Sequence, residues 1–309
     1  MKNILIFGGN GFLGKHLVPR LRARGHKVRA PRSREIDLLQ PVPADTLDPP
    51  EVVIHAAALY GGMPFDLAHQ ARILATNTQM NLHAFEFCRN AGVKTLLTIG
   101  SACAYPGRVD HQLHENEFMY GPPHETVSSH AFTKLWMIEA HKAYRASYGL
   151  NGVHIVPANL YGPGDVYQLD RAHVVAALIK KFTDAAATRS DVHLMGDGSP
   201  VRELLYIGDL AELIVRAVER VTHEDLPINA GTGVGHTIRQ LAEMIAEAVG
   251  FSGRTIWDAS QPNGALFKVL DVTRMQRILG PFEPTPLKAG LHNTLEWYLE
   301  HKVEADQRT

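Results

Sequence analysis

The 309-residue sequence contains only two cysteines, Cys88 and Cys103, and it has no long apolar run and no large excess of charge of either sign. So few cysteines in a chain of this length argue against a disulfide framework and are typical of a reducing compartment. No apolar run approaches the length of a membrane span, and the first predicted strand begins at Lys2, which leaves no room for a signal peptide. We therefore expect a soluble, cytoplasmic protein.

Charged residues make up 20% of the chain, and the formal net charge at pH 7 is -1. A chain with so little net charge has no global electrostatic field that favours nucleic acid or an anionic membrane. The sequence also lacks a fixed-period repeat and low-complexity tracts, which argues against a solenoid and a disordered regulatory tail. Partners are therefore expected at local sites.

Short, continuous apolar runs predict buried parallel strands, because such strands are covered on both faces. These runs lie at 4–7, 52–55, 95–99 and 153–156. Helical patterns lie between them, around 12–24, 67–91 and 129–148. This alternation predicts an α/β fold, a doubly wound Rossmann-type parallel sheet.

The pattern becomes less regular after about residue 165. The elements predicted there are a helix near 170–187, a strand at 193–195, a strand that runs into a helix over 202–219, a strand at 227–230, a helix at 237–249 and Pro-rich turns near 281–286. This arrangement predicts a smaller C-terminal lobe that is interleaved with the first domain. We expect the first domain to comprise 1–165, completed by parts of 201–250, and the smaller lobe to comprise mainly 166–309.

Three glycines, Gly8, Gly11 and Gly14, lie between the first predicted strand and the first predicted helix. This spacing lets the backbone turn tightly, approach a pyrophosphate closely and direct the N-terminal amides of the helix towards it. A glycine triplet alone could be an ordinary tight turn, but the strand and the helix around it predict a dinucleotide site. The neighbouring backbone and the loop after 52–55 complete the predicted site with Phe12, Leu13 and Ala57.

The second strand is predicted to end near Val28, where an NAD-binding protein carries an acidic residue for the ribose hydroxyls. Arginines come first here, at Arg29, Arg32 and Arg34. Because guanidinium groups pair with a 2′-phosphate, Arg32 and Arg34 favour NADP(H) over NAD as the cofactor. The alternative is a solvated basic loop. The first domain is accordingly expected to bind NADP, and no metal site is predicted.

Two segments, "TIGSACAYPG" at 98–107 and "NLYGPGD" at 159–165, are much more specific than the glycine turn. With them the sequence resembles the extended short-chain dehydrogenase/reductases, and within these the GDP-L-fucose synthase family. The resemblance covers nearly the whole chain. Further similar segments are "HAAALYGGM" at 55–63, "AHVVAALIKKF" at 172–182, "VRELLYIGDLA" at 201–211, "NAGTGVGHTIRQLA" at 229–242 and "KVLDVTR" at 268–274.

The resemblance implies a 3,5-epimerase/4-reductase that acts on a GDP-4-keto-6-deoxy-hexose with NADPH. The 4-keto group acidifies the protons on C3 and C5, so that a base removes each proton and an acid returns one on the opposite face. Hydride then passes to C4. By the resemblance Cys103 and His173 are the acid/base pair, a tyrosine protonates the C4 oxygen, and Ser101 and Lys134 support that step.

The chemistry of the residues agrees in part with these roles. Ser101 and Cys103 follow a predicted strand, at the carboxyl end where open α/β sheets bind ligands. A serine hydroxyl there can donate to a carbonyl or enolate oxygen, and a thiol can exchange protons near neutrality if a cationic neighbour lowers its pKa. From the residues alone, Cys103 could instead be inert packing, and His173 could be a helix cap or a core residue.

Basic and polar side chains indicate where the substrate would bind. The resemblance places Arg202 and Lys268 at the nucleotide diphosphate, where cations offset the charge of two phosphates. Asn159 and Lys181 are expected to contact the substrate as well. Each of these side chains could instead be an ordinary surface residue.

One position departs from the family pattern. The family carries Tyr-x-x-x-Lys at the start of a helix, but here His130 falls on the tyrosine position and Lys134 on the lysine position. The two residues share a helix face. A lysine and the nicotinamide charge lower the pKa of a phenol towards the working range, whereas they push that of a histidine below about 6.5 and leave it neutral. We therefore predict that His130 impairs reduction more than epimerisation.

Several functions remain open at this stage. His130 could be a natural change in an enzyme that only epimerises a 4-keto nucleotide sugar, GDP-linked or other, or it could be an engineered substitution. It could also belong to a working reductase that protonates the oxygen through water, Ser101 or another group; Tyr105 and Tyr120 are near in sequence but off the family position. Outside enzymes, the alternative is a catalytically silent NADP-binding scaffold or sensor. The retained Ser101, Cys103, Lys134 and His173 count against that alternative.

The expected partners are a GDP-linked 4-keto sugar and a second copy of the chain. By the resemblance, the helices near 67–91 and 129–148 would pair across the two-fold axis of a homodimer. We expect neither nucleic acid nor a membrane as a partner.

Overall fold

A computed structural model describes residues 1–46 and 48–307 of the chain. The strands in this part of the chain are β1 (Asn3–Phe7), β2 (Lys27–Arg29), β3 (Val52–His55), β4 (Thr95–Ile99), β5 (Asn151–Pro157), β6 (Asn159–Tyr161), β7 (Val192–Met195), β8 (Val201–Tyr206), β9 (Ile228–Ala230), β10 (Gly235–Thr237), β11 (Thr255–Asp258) and β12 (Phe267–Lys268). The α-helices are α1 (Phe12–Ala23), α2 (Met63–Ala68), α3 (Gln70–Asn90), α4 (Ser128–Tyr148), α5 (Val174–Thr188), α6 (Ile207–Arg220), α7 (Ile238–Val249), α8 (Thr273–Leu279), α9 (Leu287–Glu300) and α10 (Lys302–Gln307).

Six strands form the central sheet, in the order β2-β1-β3-β4-β5-β9, and every neighbouring pair runs parallel. The predicted doubly wound α/β fold is confirmed. The strand order reverses between β1 and β3, so a crevice opens there at the carboxyl ends of the strands. Open α/β sheets bind their ligands at such a switch point.

Helices cover both faces of the central sheet, because successive side chains of each strand point to opposite sides. In β1, Ile4 and Ile6 belong to one buried apolar cluster, and Leu5 and Phe7 belong to another. Helix α1 packs against α6 over the first cluster, and α3 packs against α4 over the second. Because helices cover both faces of the sheet, its strands appear in the sequence as continuous apolar runs.

A smaller sheet is built around β8, which pairs antiparallel with β10 and parallel with β6 and β12. Strands β7 and β11 form a separate parallel pair. A third buried cluster lies under α5, α7 and α9, where the rings of Tyr167 and Tyr298 stack with their centroids 4.2 Å apart. Because β9 joins the central sheet, the C-terminal half of the chain contributes to both sheets. The division between a cofactor domain at 1–165 and a substrate lobe at mainly 166–309 stays a prediction.

Two helices have boundaries that differ from the sequence-based expectation. The helix expected over 67–91 is split into α2 and α3, because the backbone of His69 leaves the helical region at φ -129°. The helix expected from 170 begins at Val174, since His173 is its extended N-cap. Strands β6, β10, β11 and β12 were not predicted, because such short strands carry no periodic signal. Within the described ranges, no helix is both long and apolar enough to cross a membrane.

Candidate active site

A cavity of about 740 Å³ begins at the turn after β1 and extends across the crevice to β8 and β12. Most of the residues predicted for the site meet in its wall. They are Gly8, Gly11, Phe12, Leu13, Ala57, Ser101, Cys103, His130, Lys134, Asn159, His173, Lys181, Arg202 and Lys268. The lining does not include Gly14, Arg32 or Arg34.

The glycine turn forms one end of this cavity, and two of its glycines have a steric reason. Gly8 has a φ of +82°, and a Cβ there would lie 2.6 Å from the backbone nitrogen of Ala57. A Cβ on Gly14 would lie 2.3 Å from the carbonyl carbon of Gly9, so Gly14 lets α1 pack against the turn rather than touch a ligand. Helix α1 begins after Gly11, which provides no side-chain cap, and its first turn contains no acidic residue. These features fit an anion such as a pyrophosphate at the N-terminus of α1.

The two arginines proposed for a 2′-phosphate lie outside the cavity. Arg32 and Arg34 are both exposed, in the loop that follows β2. The loop is held by Glu35, whose carboxylate accepts a hydrogen bond from the backbone N–H of Arg32 at 2.7 Å. Their role in choosing the cofactor remains a prediction.

A short turn after β4 carries the serine and the cysteine into the cavity. Ser101 caps this turn, and its Oγ accepts a hydrogen bond from the backbone N–H of Cys103 at 3.1 Å. The ammonium nitrogen of Lys268 lies 3.2 Å from the sulfur of Cys103. Burial raises the pKa of the Cys103 thiol, but the charge of Lys268 and the hydrogen bond with Ser101 outweigh it, and the net pKa is lowered. The lowered pKa makes the thiolate of Cys103 easier to form than that of an ordinary cysteine.

His173 has the opposite electrostatic bias. Its Nδ1 lies 3.4 Å from a carboxylate oxygen of Asp165, which is fully buried, and its ring stacks on Tyr60 with 5.3 Å between the centroids. Burial lowers the pKa of His173, but the attraction of Asp165 and of Cys103 raises it above the ordinary value. The pKa shifts thus move Cys103 towards its anionic form and His173 towards its cationic form, which suits a base and an acid.

His130 and Lys134 lie on the first turns of α4. The Lys134 ammonium donates to the carbonyl of Ile99 at 3.0 Å, and burial lowers the pKa of Lys134 to about 8. Nδ1 of His130 is buried without a hydrogen-bond partner. Burial, followed by the charges of Lys134, His173 and Lys268, lowers the pKa of His130 to about 3. These shifts agree with the expectation of a neutral imidazole.

Neither tyrosine that is near His130 in sequence reaches the cavity. The hydroxyl of Tyr105 donates to Asn229 at 2.6 Å inside the core, and burial raises the pKa of Tyr105. Tyr120 is 79% exposed and is not part of the cavity wall. The idea that one of them takes the place of the missing phenol therefore has no support in the geometry.

Basic side chains surround the end of the cavity away from the glycine turn. Arg202 donates to the carbonyl of Val201 at 2.9 Å, and Lys181 donates to that of His193 at 2.9 Å. Burial lowers the pKa of both Arg202 and Lys181. An anionic ligand would offset the cost of burying these two cations, because it gives each of them an oppositely charged partner.

Three residues of the site were not predicted from the sequence: Tyr60 and Asp66, which line the cavity, and Asp165, which contacts His173. Asp165 lies in the quoted "NLYGPGD" segment, and a carboxylate one short loop before His173 was the available signal. Tyr60 lies in the "HAAALYGGM" segment but has no motif of its own. Asp66 lies outside every quoted segment, yet it is 6% exposed and lines the cavity. Burial raises the pKa of Asp66 to about 6, against the opposing charges of His173 and Lys268.

The fold and the site together define a class: a doubly wound Rossmann-type α/β protein whose acid/base groups meet at the ligand-binding edge of the sheet. Residues 4–231 match the model of the NAD dependent epimerase/dehydratase family. The chain belongs to this family.

Relatives with curated names narrow the comparison. Probable GDP-L-fucose synthase 1 of Oryza sativa subsp. japonica is 32% identical over 308 residues, which cover 98% of this chain and 93% of the relative. The GDP-L-fucose synthase of Escherichia coli (strain K12) is 33% identical, over 97% of this chain and 98% of the relative. The crystal structure of a GDP-L-fucose synthetase from Naegleria fowleri bound to NADP superimposes with a TM-score of 0.85 at 25% identity, over 98% of this chain and 96% of that one. The resemblance to GDP-L-fucose synthases is confirmed.

Proposed function

We propose that this protein is an NADP-dependent 3,5-epimerase/4-reductase of a GDP-4-keto-6-deoxy-hexose, and that His130 weakens its reduction step. The names of the relatives support the GDP-sugar and the cofactor. One observation carries the epimerase assignment: a single cavity holds Cys103 beside Lys268 and His173 beside Asp165. A silent scaffold would have no use for two groups biased towards opposite charge states.

The residues at the glycine turn fit a dinucleotide cofactor. A side chain at Gly8 or Gly14 would collide with backbone, and the N-terminal amides of α1 are left for an anion. NADPH, when bound, supplies hydride to C4 of the sugar. The guanidinium groups of Arg32 and Arg34 are proposed for its 2′-phosphate because they are the exposed cations beyond the end of β2.

Cys103 is the proposed base and His173 the proposed acid in each epimerisation. The thiolate takes the proton from C3 or C5, and the C–H electron pair moves into an enolate whose charge rests on the C4 oxygen. The hydroxyl of Ser101 stabilises that oxygen by donating a hydrogen bond. His173 then delivers a proton to the other face of the carbon. Because its Nδ1 is held by Asp165, the donor is Nε2.

Reduction demands a proton for the C4 oxygen, and His130 is poorly suited to give it. A phenol at this position would be acidified by Lys134, whereas an imidazole with a pKa of about 3 is already neutral and holds its remaining proton tightly. We assign the proton to water or to the Ser101 hydroxyl. Either route is slower than transfer from a positioned general acid.

The diphosphate of the substrate is assigned to Arg202 and Lys181, whose charges are partly buried at the far end of the cavity. Asn159, the first residue of β6, is assigned to the sugar or nucleotide. Lys268 was expected at the diphosphate as well. Since its ammonium lies 3.2 Å from the sulfur of Cys103, we assign it instead to lowering the pKa of that thiol.

We also propose a cytoplasmic homodimer that forms through α3 and α4. Large apolar side chains remain exposed on these helices, namely Leu74, Leu82 and Phe132. A two-fold interface would cover them. Analytical ultracentrifugation tests this directly: Leu82→Glu should shift the protein from dimer to monomer, and a monomeric wild-type protein would contradict the proposal.

A single incubation separates the proposed function from its alternatives. The protein is mixed with GDP-4-keto-6-deoxymannose and NADPH in heavy water, and both nicotinamide absorbance and deuterium at C3 and C5 are followed. Both signals indicate a bifunctional enzyme, and deuterium alone indicates an epimerase that releases its keto product. If neither signal appears, the catalytic assignment for this substrate is overturned. Cys103→Ser is the control, because it should remove the deuterium signal while leaving the fold intact.

A further inference from the structure

Asp66 is a buried carboxylate that the proposed acid/base chemistry leaves unused. It lies on α2, is 6% exposed and forms part of the active-site wall. Its Oδ1 atom is buried and has no hydrogen-bond partner. A charged group held out of water with an unpaired oxygen is costly, and a ligand in the cavity that donates a hydrogen bond to the carboxylate would offset part of that cost.

The backbone around Asp66 holds it against the residues that precede His173. The N–H of Gly62, which is the N-cap of α2, donates to the carbonyl of Arg171 at 2.9 Å. A Cβ on Gly62 would lie 2.5 Å from the carbonyl oxygen of Ala172, so the two segments approach as closely as glycine allows. This contact fixes the start of α2, the helix that carries Asp66, against the residues that lead into His173.

Three charged or titratable side chains interact electrostatically with Asp66: His173, Lys268 and Cys103. The two cations favour its ionised form, against the burial that disfavours it. An ionised carboxylate can only accept hydrogen bonds. A ligand group that pairs with Asp66 must therefore be a donor.

We propose that Asp66 accepts a hydrogen bond from the C3 hydroxyl of the sugar and thereby selects substrates that carry this hydroxyl. The inference rests on the proposed function. Of the two carbons that the Cys103–His173 pair serves, C5 carries a methyl group and C3 carries a hydroxyl. The C3 hydroxyl is thus the donor that lies next to a carbon served by this pair, and Asp66 lines the same cavity.

The test compares two substrates that differ only in this hydroxyl: GDP-4-keto-6-deoxymannose and its 3-deoxy counterpart. Both have an exchangeable proton at C5, so kcat/KM for deuterium incorporation at C5 is measured for each. Wild-type protein should prefer the hydroxylated substrate by about tenfold to a hundredfold, the range of a hydrogen bond to a charged group. Asp66→Ala should abolish the preference by slowing the hydroxylated substrate alone.

Two further variants make the outcome specific. Asp66→Asn keeps the shape but loses the charge, so a preference of about threefold to tenfold should remain if a neutral oxygen accepts the bond. Asp170→Ala removes a nearby acidic residue that is exposed and does not line the cavity, and it should keep the full preference.

Some results would overturn the inference. A wild-type protein that exchanges both substrates equally well, or an Asp66→Ala variant that slows both by the same factor, would make Asp66 a structural or acid/base residue instead. If Asp66→Ala does not fold, a full wild-type preference in Asp66→Asn contradicts the role of the charge. Exchange with neither substrate in the wild type is a different result, because it would refute the proposed function itself.

Discussion

The contact between Lys268 and Cys103 leads to a quantitative prediction for the reactivity of the thiol. Lys268→Met removes the cation and keeps an unbranched side chain. At the observed separation of 3.2 Å, and with an effective dielectric constant of about 20, an ammonium and a thiolate attract each other by about 5 kcal/mol. Burial alone raises the pKa of Cys103, so the loss of this attraction should leave the thiol protonated near neutrality.

Alkylation by iodoacetamide as a function of pH measures this effect, since the thiolate is the reactive form. At neutral pH the variant should react more slowly than the wild type by about tenfold or more. Cys88 provides an internal control, because it is fully buried and burial raises its pKa. Lys268→Arg should keep most of the wild-type rate, because a guanidinium retains the charge.

Two results would refute this reasoning. The first is a pH profile of alkylation that Lys268→Met leaves unchanged, because the lysine would then not be the cause of the lowered pKa. The second is equal slowing in Lys268→Met and Lys268→Arg, which would point to lost packing rather than to lost charge. If the thiolate is the base for epimerisation, deuterium exchange should fall in Lys268→Met together with the alkylation rate.

Three further changes test the structure around the site. Gly8→Ala puts a Cβ 2.6 Å from the backbone nitrogen of Ala57, so the glycine turn must shift. A fluorescence titration should then show an affinity for NADPH that is reduced by about tenfold or more, and an unchanged affinity would contradict the cofactor site. Thr98→Val removes the hydroxyl that forms hydrogen bonds with the rings of His141 and His154 at 2.8 and 2.7 Å. Urea unfolding should show a free energy of unfolding that is lower by about 2 to 5 kcal/mol. An unchanged urea midpoint would refute these hydrogen bonds. Burial lowers the pKa of His141 to about 3, so as the pH falls below about 6.5 this histidine is protonated in the unfolded chain but not in the folded one. The free energy of unfolding of the wild type should therefore fall by about 1.4 kcal/mol per pH unit more steeply than that of His141→Leu. Parallel slopes for the two proteins would contradict this prediction.

The central sheet and the glycine turn could be predicted because their signals are local. Residues 52–54 are all apolar because both faces of strand β3 are covered, and the glycines are required by contacts within a few residues or with one neighbouring loop. The two-residue strand β12 could not be predicted in this way. It exists because Phe267 and Lys268 pair with the longer β8.

The candidate site was predictable where a motif covers it and not elsewhere. Cys103 and His173 were found through the family resemblance, but the motifs link neither of them to the residue that biases its charge. Lys268 is 165 positions from Cys103, so no spacing rule links the two. Asp66 belongs to a helix of six residues, and its importance depends on burial and an unpaired oxygen, which only the folded chain reveals. The neutral state of His130 could be predicted because Lys134 lies four residues along the same helix and lowers the pKa of the imidazole, although burial, which only the folded chain shows, is the larger cause.

The central claim is that epimerisation is intact and that His130 limits reduction. The most direct test measures, in one reaction in heavy water, the number of deuterium atoms incorporated for each NADPH oxidised, in the wild type and in His130→Tyr. We expect a large excess of deuterium exchange over NADPH oxidation in the wild type. We also expect His130→Tyr to raise the rate of hydride transfer by about a hundredfold to ten-thousandfold, the value of a positioned general acid. Wild-type oxidation that keeps pace with exchange, together with a His130→Tyr variant that reduces no faster or more slowly, would contradict it and give the histidine a catalytic role of its own.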